Sequence, residues 1–246
     1  MTLLTVERVS KRFGGLLAVA EASIGVPAGS ITGLIGPNGA GKTTLFTIIA
    51  GFTTPSTGRV LFDGADITPL NAHTRAQRGV VRTFQIVQPF AGLTVRENIA
   101  VGAHLHLASR RAALDRATDV ADQVGLTHML DQPAATLTVA GRKRLELARA
   151  LATQPRLLLL DEVLAGLNPA EIEAMLPILR QIVASGVTIL MIEHVMQAVM
   201  QLCSTVHVLA QGRMIASGPP ATVCADPAVI EAYLGKGAAA RMAAHG

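Results

Sequence analysis

The sequence predicts an α/β fold: a mainly parallel sheet, an antiparallel β subdomain at the N-terminus and an α-helical insertion. After Pro155, aliphatic runs of strand length alternate with helical periodicity, the pattern of a parallel sheet with crossover helices. The runs 157–160 and 187–192 are densely apolar, interrupted only by Thr188, as in strands covered on both faces. The first 35 residues read instead as three strands punctuated by Gly14, Gly15, Pro27 and Gly29, in antiparallel style. At 246 residues, 50% hydrophobic and 15% charged, the chain can bury a large core, which excludes disordered and collagen-like architectures.

Strands are expected at 3–9, 18–26 and 30–35, where aliphatic residues run between turn residues. A helix over 41–50 follows a glycine-rich turn, then a strand at 59–62, a short helix at 72–78 and a strand at 80–84. From Thr94 the apolar spacing becomes helical, giving an insertion of helices at 95–108, 110–124 and 142–153. The alternation resumes with a strand at 157–161, a helix at 170–185, a strand at 187–192, a helix at 195–202 and strands at 206–210 and 214–216. This makes one domain with its core at about 1–85 and 156–235, a helical subdomain at about 86–155 and a flexible Gly/Ala-rich tail at 236–246.

The formal net charge is +4, with no basic cluster beyond Arg142, Lys143 and Arg144. Aromatic residues make up only 3%, too few for stacking platforms, so no nucleic-acid partner is expected. Cys203 and Cys224 stand alone without zinc or disulfide spacing, which suits a reducing compartment. No apolar run reaches the roughly 18 residues of a membrane span, and residues 1–11 lack a secretory signal, so the chain is expected to stay inside the cell.

Gly36, Pro37, Asn38, Gly39, Ala40, Gly41, Lys42 and Thr43 spell GxxxxGKT between a predicted strand and a predicted helix, the signature of a P-loop NTPase core. Each position has a physical reason. Glycines let backbone N–H groups turn inward as an anion nest, the helix adds its positive dipole end, Lys42 reaches the β and γ phosphates, and the Thr43 hydroxyl can ligate Mg²⁺. About 120 residues on, the strand Leu157 to Leu160 ends in Asp161 and Glu162. At the carboxyl edge of a parallel sheet such acids arrive beside the phosphate loop. Asp161 would hold Mg²⁺ through water, and Glu162 would orient and deprotonate the attacking water.

With these residues the sequence resembles the ATP-binding subunits of ABC transporters over nearly its whole length. The resemblance implies ATP as the nucleotide and Mg²⁺ as its metal, with Thr44 joining the phosphate loop. It implies that Phe13 stacks on adenine and that Gln85, in Thr83-Phe-Gln85, senses Mg²⁺ and water and links to the membrane partner. His194, in Ile192-Glu-His194, would contact the γ-phosphate. Thr138 stands where the family's signature segment bonds the γ-phosphate of a facing domain, but Val139, Ala140 and Gly141 replace that segment's two glycines and glutamine. A left-handed backbone at Ala140 would cost about 1 kcal/mol. Asn168 stands where many relatives carry an Asp, dropping a charge across the implied dimer seam.

Glu162 to Pro169, Ile192 to Met196 and Pro227 to Gly235 look most like the importers of branched-chain and related aliphatic amino acids. The partners implied are transmembrane permease subunits, a second ATP-binding subunit in a heterodimer or homodimer, and, indirectly, a periplasmic solute-binding protein. The place implied is the cytoplasmic face of the cell membrane. Residues 86–94, with Val87, Pro89 and Phe90, are the candidate docking surface. Urea or lipopolysaccharide systems, a soluble ABC ATPase and a regulatory subunit with an impaired signature stay open as alternatives.

Overall fold

A computed structural model describes residues 1–83 and 88–235. β1 (Thr2–Phe13) and β2 (Leu16–Pro27) form a hairpin over Gly14 and Gly15. β3 (Ile31–Ile35) is wholly buried and leads through a glycine-rich turn into α1 (Lys42–Ile49). β4 (Thr57–Phe62) and β5 (Ala65–Asp66) complete an antiparallel sheet of order β2-β1-β4-β5. α2 (Ala72–Gln77), capped by the Asn71 side chain, precedes β6 (Val80–Arg82).

The middle of the chain is helical. α3 (Val95–Ala103) opens on a reciprocal capping box between Thr94 and Glu97, a pair the sequence displays at the right spacing. It ends five residues earlier than its periodicity suggests, because Ser109 caps a new helix, α4 (Arg110–Gln123), and Leu107 N–H folds back onto Ala103 O at 3.0 Å. Short 3₁₀ turns at Thr127–Met129 and Ala134–Thr136 lead to α5 (Val139–Ala152). α5 starts three residues before the expected position, since Thr138 caps it by accepting the Gly141 N–H.

The remaining elements are β7 (Leu157–Asp161), α6 (Pro169–Ala184), β8 (Thr188–Ile192), α7 (Met196–Leu202), β9 (Thr205–Ala210) and β10 (Arg213–Gly218). α8 (Pro220–Cys224) and α9 (Pro227–Leu234) close the described chain. The second sheet has order β10-β9-β3-β8-β7-β6 and is parallel except for the β9–β10 pair.

Alternation along β7 and β8 explains their nearly continuous aliphatic sequences. Leu157, Leu159, Leu190 and Ile192 point to one core, shared with α1 and the antiparallel sheet. Leu158, Leu160, Ile189 and Met191 point to the other, shared with the helical segment and α6. Each fully buried leucine contributes about 2 kcal/mol, and the buried Thr188 at the start of β8 is tolerated because its hydroxyl accepts the Gly29 N–H at 2.9 Å. The sheet is a rigid platform whose strand tips, β3, β7 and β8, end at one edge.

Candidate functional site

The phosphate-loop turn is built by glycines that no other residue can replace at two places. Gly36 has φ 148°, and a Cβ there would lie 1.9 Å from the Leu209 carbonyl oxygen. Gly41, the cap of α1, has φ 102°, and a Cβ there would lie 2.4 Å from Ala18 O. The Lys42 ammonium donates to Gly36 O at 2.6 Å and Pro37 O at 3.0 Å, so it lies folded over its own loop. Burial pushes the Lys42 pKa below its ordinary value, while Glu162 and Asp161 act in the opposite direction.

A cleft of about 520 Å³ opens above this turn. It is lined by Asn38, Gly39, Ala40, Gly41, Lys42, Thr43 and Thr44 from the loop and helix, Glu162 and His194 from the strand tips, and Phe13 from the hairpin. Leu16, Leu17, Ala18, Gln211 and Gly212 complete the wall and were not singled out from sequence. Gly36 and Pro37 lie behind the lining as acceptors for Lys42. The Phe13 ring is half exposed, with Lys11 Nζ 5.1 Å from its centre, an open aromatic face suited to a planar base.

Glu162 and His194 meet, with His194 Nε2 3.1 Å from Glu162 Oε1. Glu162 has a left-handed backbone, φ 52°, and its N–H donates to Ile192 O at 2.9 Å, which ties the β7 tip to β8. Asp161 is 3% exposed and ion-paired with Arg82, whose Nη2 stands 2.6 Å from Oδ2. Arg82 sits on the neighbouring strand, in register with Leu159, and no sequence signal marked it. Behind the cleft, Glu193 is 1% exposed and accepts the Leu164 N–H at 2.9 Å. Burial raises its pKa to about 7, against hydrogen bonds from the Leu164 and His194 backbones.

The oxygen donors fit a hard cation. Thr43 lines the cleft and the Asp161 carboxylate stands at the adjoining strand tip, while among the described residues no group of three or more His, Cys, Asp or Glu side chains is placed to hold a metal ion. A hydroxyl and one carboxylate, completed by phosphate oxygens and water, are the donors Mg²⁺ takes in nucleotide sites.

Other nominated residues lie elsewhere. Thr138 is outside the cleft, exposed, with its hydroxyl engaged as a helix cap. Val139 and Ala140 are ordinary first-turn helical residues, so the left-handed backbone considered for Ala140 does not occur. Asn168 caps α6 in a reciprocal box with Glu171, a local task that accounts for its amide. Gln85, with Phe84, Ile86 and Val87, falls outside the described residues. Phe90 is exposed at 46%; Asn98 holds its backbone by hydrogen bonds to N–H and C=O, and the Arg149 guanidinium stacks 4.6 Å from its ring.

A phosphate loop between strand and helix, faced by a carboxylate and a histidine from neighbouring parallel strands, defines a nucleoside-triphosphate hydrolase. The ABC transporter family model matches residues 19–165, and a model for the C-terminus of branched-chain amino acid ATP-binding cassette transporters matches 213–239. The chain belongs to the ABC transporter ATP-binding family, binds nucleotide and hydrolyses ATP.

Among curated relatives, the high-affinity branched-chain amino acid transport ATP-binding protein BraF of Pseudomonas aeruginosa is 39% identical, covering 95% of this chain and 98% of its own length. LivG of Escherichia coli, with the same description, is 40% identical over the same shares. The lipopolysaccharide export ATP-binding protein LptB of Haemophilus influenzae is 32% identical over 96% of this chain and 98% of its own. A solved nucleotide-free ATP-binding cassette from an ABC transporter superposes with TM-score 0.88 at 32% identity, covering 96% of this chain and all of that one. Another cassette, in its ADP conformation, gives 0.88 at 33% identity over the same shares.

Proposed function

We propose that this chain is the ATP-hydrolysing subunit of an importer for branched-chain or related aliphatic amino acids. The observation that carries the hydrolytic part is the convergence of the Lys42 loop with the Glu162–His194 pair on one cleft. The solute class rests on the relatives' descriptions and on the C-terminal match, since the subunit itself never handles the solute.

The loop amides and the α1 N-terminus bind the phosphates, and Lys42 exchanges its hold on Gly36 O and Pro37 O for phosphate oxygens. Phe13 supplies the face for adenine. Glu162 orients water and takes its proton; His194, already within hydrogen-bond reach of that carboxylate, contacts the terminal phosphate. Thr43 and Asp161, joined by Gln85, would hold Mg²⁺, which neutralises phosphate charge when bound. For Asp161 this means sharing or leaving Arg82. Thr138 would serve the nucleotide of a facing subunit, and the core, the helical subdomain at about 86–155 and the tail follow the boundaries read from sequence.

No helix among the described residues is long and apolar enough to cross a membrane. We place the chain peripherally on the cytoplasmic face, paired with a second ATP-binding subunit and docked through the Phe90 region onto permease subunits fed by a periplasmic binding protein. Two variants test the hydrolytic reading. K42A loses MgATP affinity at least tenfold, and E162Q retains ATP in a closed dimer without turnover. Wild-type turnover in E162Q removes Glu162 from its role. Leucine uptake by the reconstituted transporter, set against urea, tests the solute.

A further inference from the structure

The turn carrying Glu162 is gripped from behind by a residue that the chemistry above does not use. Glu162 is one of a few non-glycine residues among those described with left-handed backbone, φ 52°, a conformation unfavourable for any residue with a Cβ. Its carbonyl oxygen accepts two hydrogen bonds: the Ala165 N–H at 3.1 Å and the Lys143 ammonium at 2.9 Å. Lys143 is in the second turn of α5 and is 6% exposed.

Two further contacts fix the same turn. The Val139 side chain at the start of α5 lies beside Gly166, its Cγ1 3.9 Å from where a Cβ on that glycine would stand. Glu193, just past the end of β8, accepts the Leu164 N–H at 2.9 Å, and its carboxyl lies within the electrostatic reach of Lys143. The segment 162–166 is thus clamped between α5 and the β8 tip. A lysine is normally excluded from an interior unless its charge is matched there; here its ammonium donates to the Glu162 carbonyl within electrostatic reach of the Glu193 carboxyl.

We propose that Lys143 is a positioning residue for Glu162: by holding the Glu162 carbonyl, it fixes the left-handed turn that aims the carboxylate into the cleft and ties that aim to α5. The inference rests on the reading of Glu162 as the hydrolytic base. A neutral side chain of the same length cannot reproduce a charge-assisted hydrogen bond, whereas Arg can reach the same oxygen.

The test uses the full-length chain with K143M and K143R. Amide exchange over residues 162–165 is expected to rise about tenfold in K143M and to return within threefold of wild type in K143R. Affinity for a fluorescent ATP analogue, set by the Lys42 loop, stays within twofold in both. In steady-state ATPase assays K143M lowers kcat about tenfold with KM within twofold, and K143R restores most of it. Unchanged exchange in K143M overturns the proposal whatever turnover does, as does equal damage in K143M and K143R. Full turnover in E162Q alongside loosened exchange in K143M would leave the clamp standing and strike only Glu162's assigned role.

Discussion

Replacing Glu193 with Gln isolates the burial of one carboxyl group. In the unfolded chain that carboxyl ionises near 4.5; in the folded protein burial holds the proton until about pH 7. Between those values the folded state binds more protons than the unfolded state. The stability this group contributes is therefore fullest below about pH 4.5 and declines as the pH rises through 7, then levels off. A pKa gap of about 2.5 corresponds to about 3 kcal/mol. The amide of E193Q keeps an acceptor oxygen for the Leu164 N–H, bonded at 2.9 Å in the native protein, and has no proton to lose. Relative to the native chain, E193Q should gain up to about 3 kcal/mol between pH 5 and pH 8, or about 6–12 °C in Tm for a chain of this size. Thermal melts of both proteins at the two pH values measure this difference of differences, in which the histidines common to both cancel. A constant offset between variant and native chain at both pH values would refute the reasoning.

Arg75 is 1% exposed and donates to the Ile48, Ile49, Thr68 and Leu70 carbonyls, closing the C-terminal end of the phosphate-loop helix. R75M should cost about 3–5 kcal/mol and lower Tm by roughly 10 °C in calorimetry; a loss under 2 °C would contradict this. G36A should abolish ATP-analogue binding, because a Cβ would stand 1.9 Å from Leu209 O; affinity within threefold of wild type would show that the turn can rearrange. F13A should weaken ATP about tenfold while F13Y binds nearly as well, in line with about 1–3 kcal/mol for base stacking; equal affinity in all three would take adenine off Phe13. F90D should detach the chain from permease-containing membranes in flotation assays and leave ATP binding intact; unchanged association would locate docking elsewhere.

The residues legible in sequence were those whose type is dictated by a local rule. The phosphate loop needs glycines with a lysine and a hydroxyl at fixed spacing, and β7 announces itself because both faces are buried and its polar residues are confined to the tip. The roles of Arg82, Lys143 and Glu193 were not legible because their partners lie on other elements: Arg82 meets Asp161 across a sheet register, Lys143 meets the Glu162 carbonyl, and Glu193 meets the Leu164 N–H. Only the fold brings them together. α9 could have been found, since Asp226 followed by Pro227 is a helix start, and Asp226 does accept the Ala228 N–H at 2.8 Å. The early end of α3 was harder to read, because Gly102 stands inside its last turn rather than just past its end and no proline follows before Ser109.

The sheet order sets a timetable for synthesis. β3, the strand that feeds the phosphate loop, sits between β8 and β9, and both of its neighbours come from the last quarter of the chain. A ribosome that has released only the first 187 residues has made every loop residue that touches phosphate, yet their supporting strand still has two open edges. Nucleotide capture therefore belongs to the final stage of translation, and nascent chains stalled before Thr188 should wash free of ATP while those stalled well after Ala210 retain it.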